Sequence, residues 1–315
     1  MNGFIFGEDD GMRILMAGAS GYLGSRLAAR LREAGHDVTR LVRRPAQKAD
    51  EAMWRPSHNE LDQHLVARAD AVVNLAGANV GHWRWTSRYK GVLRSSRVDT
   101  TATIAGVIKQ LPEADRPRTL LQSSAVGWYG DTGDQAVTEE APAGTTFLAD
   151  LCRVWEAAAR PAEDAGTRVV LLRTAPVISR DGGLVRPLSI PFKLGAGARI
   201  GSGKQWMAWI ALADWLAAAE FLLEREDLAG PVNIVGQPCT NAAFTRAFAQ
   251  AVHRPAVLAV PGIALDLALG ELAGEVKQSQ RVLPAVLERA GFGWAYPDIR
   301  DAMAAAFDQE AATPH

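Results

Sequence analysis

Gly18-Ala19-Ser20-Gly21-Tyr22-Leu23-Gly24 is the stretch that decides how this chain reads. In front of it stands the short apolar run Arg13-Ile14-Leu15-Met16-Ala17, which has the length and composition of a buried strand. Behind it, residues 22–34 place Leu23, Leu27, Ala28 and Leu31 at helical spacing, and Gly35 stops the helix. A glycine-rich turn between a strand and a helix offers unpaired backbone N–H groups at the positive helix end, the usual seat of a dinucleotide's pyrophosphate. Glycine permits both the tight turn and the close approach. Gly18, Ser20, Gly21, Tyr22, Leu23 and Gly24 are therefore the first candidate cofactor-binding residues.

Working outward, strand-like runs recur at residues 37–42, 71–75, 119–122 and 168–172, each separated by a segment of helix length. Such alternation implies a parallel sheet covered on both faces. The expected fold is α/β, a Rossmann-type doubly wound parallel sheet with a smaller, mixed C-terminal substrate subdomain. We expect residues 1–11 to be a disordered extension that carries no chemistry, with Met12 as an alternative start. Residues 12–180 then form the dinucleotide-binding domain and residues 181–315 the substrate-binding module, possible interleaving of the two allowed.

The end of the second strand separates the two nicotinamide cofactors, because a carboxylate there holds a ribose 2′-hydroxyl whereas an arginine accommodates a 2′-phosphate. Here it reads Val42-Arg43-Arg44-Pro45, with no carboxylate. A guanidinium fork matches phosphate geometry. NADP(H) is preferred over NAD(H), the competing reading being two solvated surface arginines.

The chain has 315 residues, 48% of them hydrophobic, and a formal net charge of −1. That is ample for a core and gives no basis for a nucleic-acid surface or a polybasic membrane anchor. The aromatic and basic cluster His82-Trp83-Arg84-Trp85 is isolated and does not change this. No apolar run is long enough to span a membrane, and the acidic N-terminus is unlike a signal peptide, so a cytoplasmic location is expected. Two distant cysteines, Cys152 and Cys239, form neither a disulfide framework nor a zinc site and read as buried apolar residues. No metal site is expected. The expected partner is a small-molecule substrate, and the expected assembly a monomer or homodimer.

Asn74-Leu75-Ala76-Gly77 and Ser123-Ser124-Ala125-Val126-Gly127-Trp128-Tyr129-Gly130 follow two further strands. With the glycine turn and the arginine pair, they make the chain resemble the extended short-chain dehydrogenases, epimerases and dehydratases. It is most similar to their atypical branch, the epimerase family proteins. Arg84-Trp85-Thr86, Ser96-Arg97-Val98, residues 201–210 and Ser279-Gln280-Arg281-Val282-Leu283-Pro284 extend the resemblance over residues 12 to 308. It implies that Asn74, Leu75, Ala76 and Gly77 line the adenosine and ribose side, and that Ser123, Ser124 and Tyr129 lie near the nicotinamide. The competing readings are that Asn74 and Gly77 merely terminate a strand and that Tyr129 is a buried aromatic in a tight turn. Arg97 either reaches a phosphate or makes an ordinary surface ion pair.

Most members of that family use a tyrosine, a lysine four residues later and a serine or threonine for proton transfer. Counting back from Glu156 puts Leu148 and Cys152 at the tyrosine and lysine places, and counting back from Tyr129 puts Ala125 at the hydroxyl place. Reserve candidates are Tyr129, Ser123, Ser124 and Lys204. Asp150 is the nearest carboxylate in that helix.

In the second half, glycines 195, 197, 201 and 203 lead into Lys204-Gln205-Trp206-Met207-Ala208-Trp209. This stretch forms either a loop closing on a ligand with Trp206 and Trp209 as walls, or two core tryptophans. Residues 265–273 are strongly apolar and either cover the sheet or form a subunit contact, burial within the same chain being the expectation. Two functional readings follow: an NADP(H)-dependent oxidoreductase or epimerase-like enzyme acting on a small carbonyl or alcohol metabolite, or a catalytically degenerate NADP(H)-binding regulatory or sensing protein acting through a partner.

Overall fold

The structure, a computed structural model, describes residues 11–81 and 85–308. The expected N-terminal extension, apart from Gly11, and His82-Trp83-Arg84 lie outside the described residues.

Along the first strand, Arg13–Ala17 (β1), side chains alternate between two cores, as a period of two requires. Ile14 and Met16 pack to one side with Leu27, Leu31, Trp215 and Leu222. Leu15 and Ala17 pack to the other with Val72, Ile104, Ile108 and Leu120. A strand buried on both faces has to be apolar at every position, which is why the sequence shows a run here rather than an alternation. Fully burying one such side chain contributes about 1.5–3 kcal/mol.

The other strands of this sheet are Asp37–Val42 (β2), Glu51–Met53 (β3), Ala71–Asn74 (β4), Thr119–Ala125 (β5), Arg168–Thr174 (β6) and Gly230–Ile234 (β7). All pairings are parallel, in the order β7-β6-β5-β4-β1-β2-β3. This is the Rossmann-type doubly wound arrangement, with the order reversing between β1 and β4, and a crevice opens outside the strand ends at that point. The last strand comes from beyond residue 180, so the second half of the chain completes the sheet of the first and the two interleave.

The helices that matter for the site are Tyr22–Glu33 (α1), Ser87–Gln110 (α2), Phe147–Ala157 (α3), Val185–Lys193 (α4) and Leu212–Glu224 (α5). α2 and α3 start on threonine caps, where the Thr86 and Thr146 hydroxyls accept the N–H of Tyr89 and Ala149. A separate core joins α4 to Asn241–Ala251 (α6), through Phe192, Trp209, Phe244, Phe248 and Met303, with Phe192 stacked on Phe248 at 4.1 Å.

The Ser279 to Pro284 run acts as a clamp. Thr132 donates its backbone N–H to the Ser279 carbonyl (2.8 Å), the Gln280 side chain donates to the Gly130 carbonyl (3.1 Å), and Arg281–Val282 pairs with Ala136–Val137. Asp214 on α5 accepts the N–H groups of Ala295 (2.7 Å) and Tyr296 (3.0 Å).

One expectation is corrected. Residues 265–273 are not buried: they span the helices Gly262–Leu269 (α7) and Glu271–Val276 (α8), where Ile263 is 75% and Leu267 81% exposed. The faces of the sheet are already covered by α1, α5, α2 and α3, so no apolar face of the sheet is left for α7. Among the described residues of that stretch only Ala273 is buried, while Leu272 packs against Trp85, Leu93 and Leu151. Among the described residues no helix is long and apolar enough to cross a membrane.

Candidate dinucleotide and substrate cleft

The turn after β1 is shaped by two close approaches. Gly18 has φ +79°, and a Cβ there would lie 2.5 Å from the Leu75 carbonyl carbon. A Cβ on Gly24 would lie 2.2 Å from the Gly18 oxygen. The turn therefore rests directly on the end of β4, and α1 rests on the turn. Gly21 caps α1 without any side-chain acceptor, so the first-turn N–H groups of Tyr22, Leu23 and Gly24 are left to face outward.

They face a cleft of about 1490 Å³. Its floor is the glycine turn, Leu75, Ala76 and Gly77 after β4, and Ser123, Ser124 and Ala125 at the end of β5. Arg97 from α2 and Trp155 from α3 close one side. The opposite wall runs from Thr174 to Val177 and on to Arg180, Asp181, Arg186, Ser189, Ile190 and Lys193, with Trp215 below.

The expected cofactor residues divide. Gly18, Gly21, Tyr22, Leu23, Gly24, Leu75, Ala76, Gly77 and Arg97 all line the cleft. Ser20 is exposed outside its lining. Asn74 does not line it: the side chain is fully buried, donating to Thr101 Oγ1 (3.2 Å) and Gln122 Oε1 (2.9 Å) and accepting the Ala76 N–H (3.2 Å). Its role is to fix the turn that carries Ala76 and Gly77, because a buried amide must satisfy its donors and acceptor.

Arg43 and Arg44 stand just past β2, outside the cleft lining. Arg44 is occupied. Both of its Nη atoms donate to Glu51, at 2.8 Å each. The Arg44 hydrogen bonds, joined by the Gln47 N–H, pull the Glu51 carboxyl down to about 2. Arg43 is exposed, and no described carboxylate pairs with it.

The reserve catalytic candidates fare differently. Tyr129 is 4% exposed and absent from the cleft: its hydroxyl donates to Asn233 Oδ1 (2.7 Å) and accepts from Arg173 Nη1 (3.0 Å). Burial pushes its phenol up to about 12. That corrects the expectation of a proton donor near the nicotinamide, since the turn Val126–Tyr129 packs the ring into the core. Lys204 is exposed on a turn outside the cleft, which corrects its placement near a substrate. Trp209 is fully buried and Trp206 binds Asp134 Oδ1 (3.2 Å), so neither walls the ligand space.

Ser123 and Ser124 do line the cleft. Ser124 Oγ donates to Glu156 Oε1 (2.5 Å), and Glu156 is in turn paired through both oxygens with Arg173 (2.9 and 3.0 Å). Both ion-pair side chains are under a tenth exposed. This network is satisfied and holds β5, β6 and α3 together.

α3 brings Leu148 and Cys152 beside the end of β5, where a Cβ on Gly127 would touch Leu148 Cβ (3.1 Å) and where Cys152 Sγ lies 3.6 Å from the Ala125 oxygen. Burial raises the Cys152 thiol to about 12. The helix thus passes the place of a proton-transfer pair and presents none. Asp150 is half-buried and paired with Arg94 (3.3 Å) and with Arg153. Cys239 is half-buried rather than buried.

Sequence reasoning missed the α4 wall. Arg186, Ser189, Ile190 and Lys193 stand at i, i+3, i+4 and i+7, a single helical face. That spacing was readable, but two prolines obscured it. It also missed Glu51, since nothing local marks the residue as the organiser of two arginines.

The fold, the turn and the cleft define a dinucleotide-binding Rossmann architecture whose catalytic end lacks the common tyrosine and lysine. The chain belongs to the NAD dependent epimerase/dehydratase family, which it matches over residues 14–235, followed by a domain of unknown function, DUF1731, over residues 260–306. It is 45% identical over 292 residues to an epimerase family protein of Mycobacterium bovis, covering 92% of this chain and 96% of that one. The human epimerase family protein SDR39U1, solved with NADPH, superposes with a TM-score of 0.84 at 29% identity, covering 94% of this chain and 99% of that one. A nucleoside-diphosphate sugar epimerase from Corynebacterium glutamicum superposes with a TM-score of 0.78 at 32% identity, covering 95% of this chain and 59% of that one.

Proposed function

We propose that this protein is an NADP(H)-dependent oxidoreductase acting on a small carbonyl or alcohol compound. The observation that carries the reading is the cleft itself: the N-terminus of α1, which no side chain caps, and a turn with no room for a Cβ at Gly18 or Gly24 open onto about 1490 Å³ at the sheet's switch point. Those residues fit a nicotinamide dinucleotide. The α1 N-terminus takes the pyrophosphate, Arg43 takes the 2′-phosphate, and Ser123 and Arg97 flank the nicotinamide half. The bound dinucleotide supplies hydride transfer. The relative solved with NADPH supports the phosphate assignment.

Space remains for a substrate between Ser123 and the α4 wall, where Arg186 and Lys193 give a cationic surface. Incubation of the protein with C4-deuterated NADPH and a small-metabolite extract tests this reading. Deuterium in a single product establishes the reductase and names its substrate.

The burial of Tyr129, the exposed position of Lys204 and the apolar Leu148 and Cys152 favour a second reading, a catalytically degenerate NADP(H)-binding regulatory or sensing protein. Binding of NADPH without any transfer of label across several extracts selects it.

A further inference from the structure

Among the described residues Arg97 is the one buried cation in the cleft lining. It is 7% exposed, and among the described residues no carboxylate forms an ion pair with it. Its Nη1 donates to the Leu93 carbonyl (3.1 Å) and its Nη2 to the Ala78 carbonyl (3.0 Å). A guanidinium has five N–H donors, so three remain. The group lies over Trp155, 5.0 Å from the ring centre, and a Cβ on Gly77 would come within 3.3 Å of its central carbon. It is thereby locked at one point of the cleft.

That point can be assigned to one half of a bound dinucleotide. The pyrophosphate belongs at the α1 turn, beyond β1. The adenosine half runs toward β2, where Arg43 and Arg44 stand. The other half therefore runs the opposite way, over the ends of β4 and β5, where Ser123, Trp155 and Arg97 meet, with Gly77 beside Arg97 rather than on the adenosine side that the resemblance implied. Burial also disfavours the charged form of Arg97, which is consistent with a charge that no protein group offsets.

We infer that Arg97 makes this cleft selective for the reduced, uncharged nicotinamide ring over the oxidised, positively charged one. The inference rests on the dinucleotide reading given above. A fixed positive charge in a low-dielectric site repels a second one. At separations of roughly 8 Å and an effective dielectric constant of about 20, the discrimination is about 30-fold, which screening by salt brings toward tenfold. The bound couple is then easier to reduce than the free one, so the cleft retains the dinucleotide in its reduced form and releases it once hydride transfer has left the ring positively charged. The same cation stands where α3 brings Cys152, the position that otherwise would carry a positive charge.

The experiment needs no substrate. NADPH affinity is read from its own fluorescence on titration, and NADP+ affinity by competition, for the wild-type chain, Arg97→Gln and Arg97→Lys. The wild type binds NADPH about tenfold more tightly than NADP+, Arg97→Lys keeps a preference, and Arg97→Gln brings the ratio near one. Equal affinity of the wild type for the two forms overturns the inference even if Arg97→Gln fails to fold. So does an Arg97→Gln protein that keeps the ratio, or one that loses both forms by the same factor, which would place Arg97 on the phosphates. Binding of neither form by the wild type removes the dinucleotide reading itself, and this inference with it.

Discussion

Three side chains carry most of what is testable at the scale of the residue. Arg43 is the cation left open for a 2′-phosphate once Glu51 has engaged Arg44. Arg43→Glu should therefore weaken NADPH binding by about 10- to 100-fold, the value of a charge-assisted hydrogen bond, while leaving NADH within a few-fold; equal losses in parallel titrations would remove the phosphate assignment. Tyr129 makes the opposite case. Tyr129→Phe deletes a buried hydroxyl that serves Asn233 and Arg173, so we expect a loss of about 1–3 kcal/mol in urea unfolding and unchanged NADPH affinity. Glu156→Gln leaves the Arg173 guanidinium buried without its counter-ion and should cost about 3–5 kcal/mol in the same assay.

At the scale of the element, the β1 turn and the loop from β2 to β3 do different work. In the turn, Gly18 combines φ +79° with backbone contact at 2.5 Å, so Gly18→Ala faces both left-handed strain and a steric clash. Loss of dinucleotide binding measured by calorimetry, with the far-UV spectrum retained, is the expected result.

Where the loop enters β3, Glu51 collects Arg40, Arg44 and the Gln47 N–H. Its carboxyl is depressed to about 2 in the folded protein, from an ordinary 4.5. A depressed carboxyl stabilises the fold above its unfolded value and stops doing so as pH falls toward the folded one. Glu51→Gln should accordingly flatten the acid limb of stability between pH 4.5 and 2, seen as a smaller pH dependence of the urea midpoint. The sequence showed the turn plainly, because glycine spacing is local. It showed the loop only as an arginine pair, because which arginine is free depends on a carboxylate seven residues on that folds back beside it.

At the scale of the whole molecule, the cleft is made by both halves of the chain. The glycine turn and the ends of β4 and β5 form its floor, and residues 174 to 193 its far wall. A ligand that touches both should tie them together. Saturation with NADPH at a hundred times its Kd should stabilise the protein by about 2.7 kcal/mol and raise its melting temperature, as differential scanning calorimetry would record. A chain whose melting temperature ignores NADPH does not hold it in this cleft.

The alternation of apolar runs with amphipathic segments by itself determined the parallel sheet, because a strand covered on both faces must be apolar throughout and a surface helix must be apolar on one face. The glycine spacing marked the turn suited to a pyrophosphate, and Leu148 and Cys152, eight and four residues before Glu156, already showed that the usual proton-transfer pair is missing. Tertiary structure alone decided the rest. Tyr129, Asn74 and Trp209 are polar or aromatic residues whose sequence neighbourhood fits a site, yet their side chains turn inward because the protein interior has hydrogen-bond partners and volume for them there. Arg97 faces the ligand space unpaired because α2 crosses the end of β4 at that point, and no pattern along the chain records which buried charge lacks a partner.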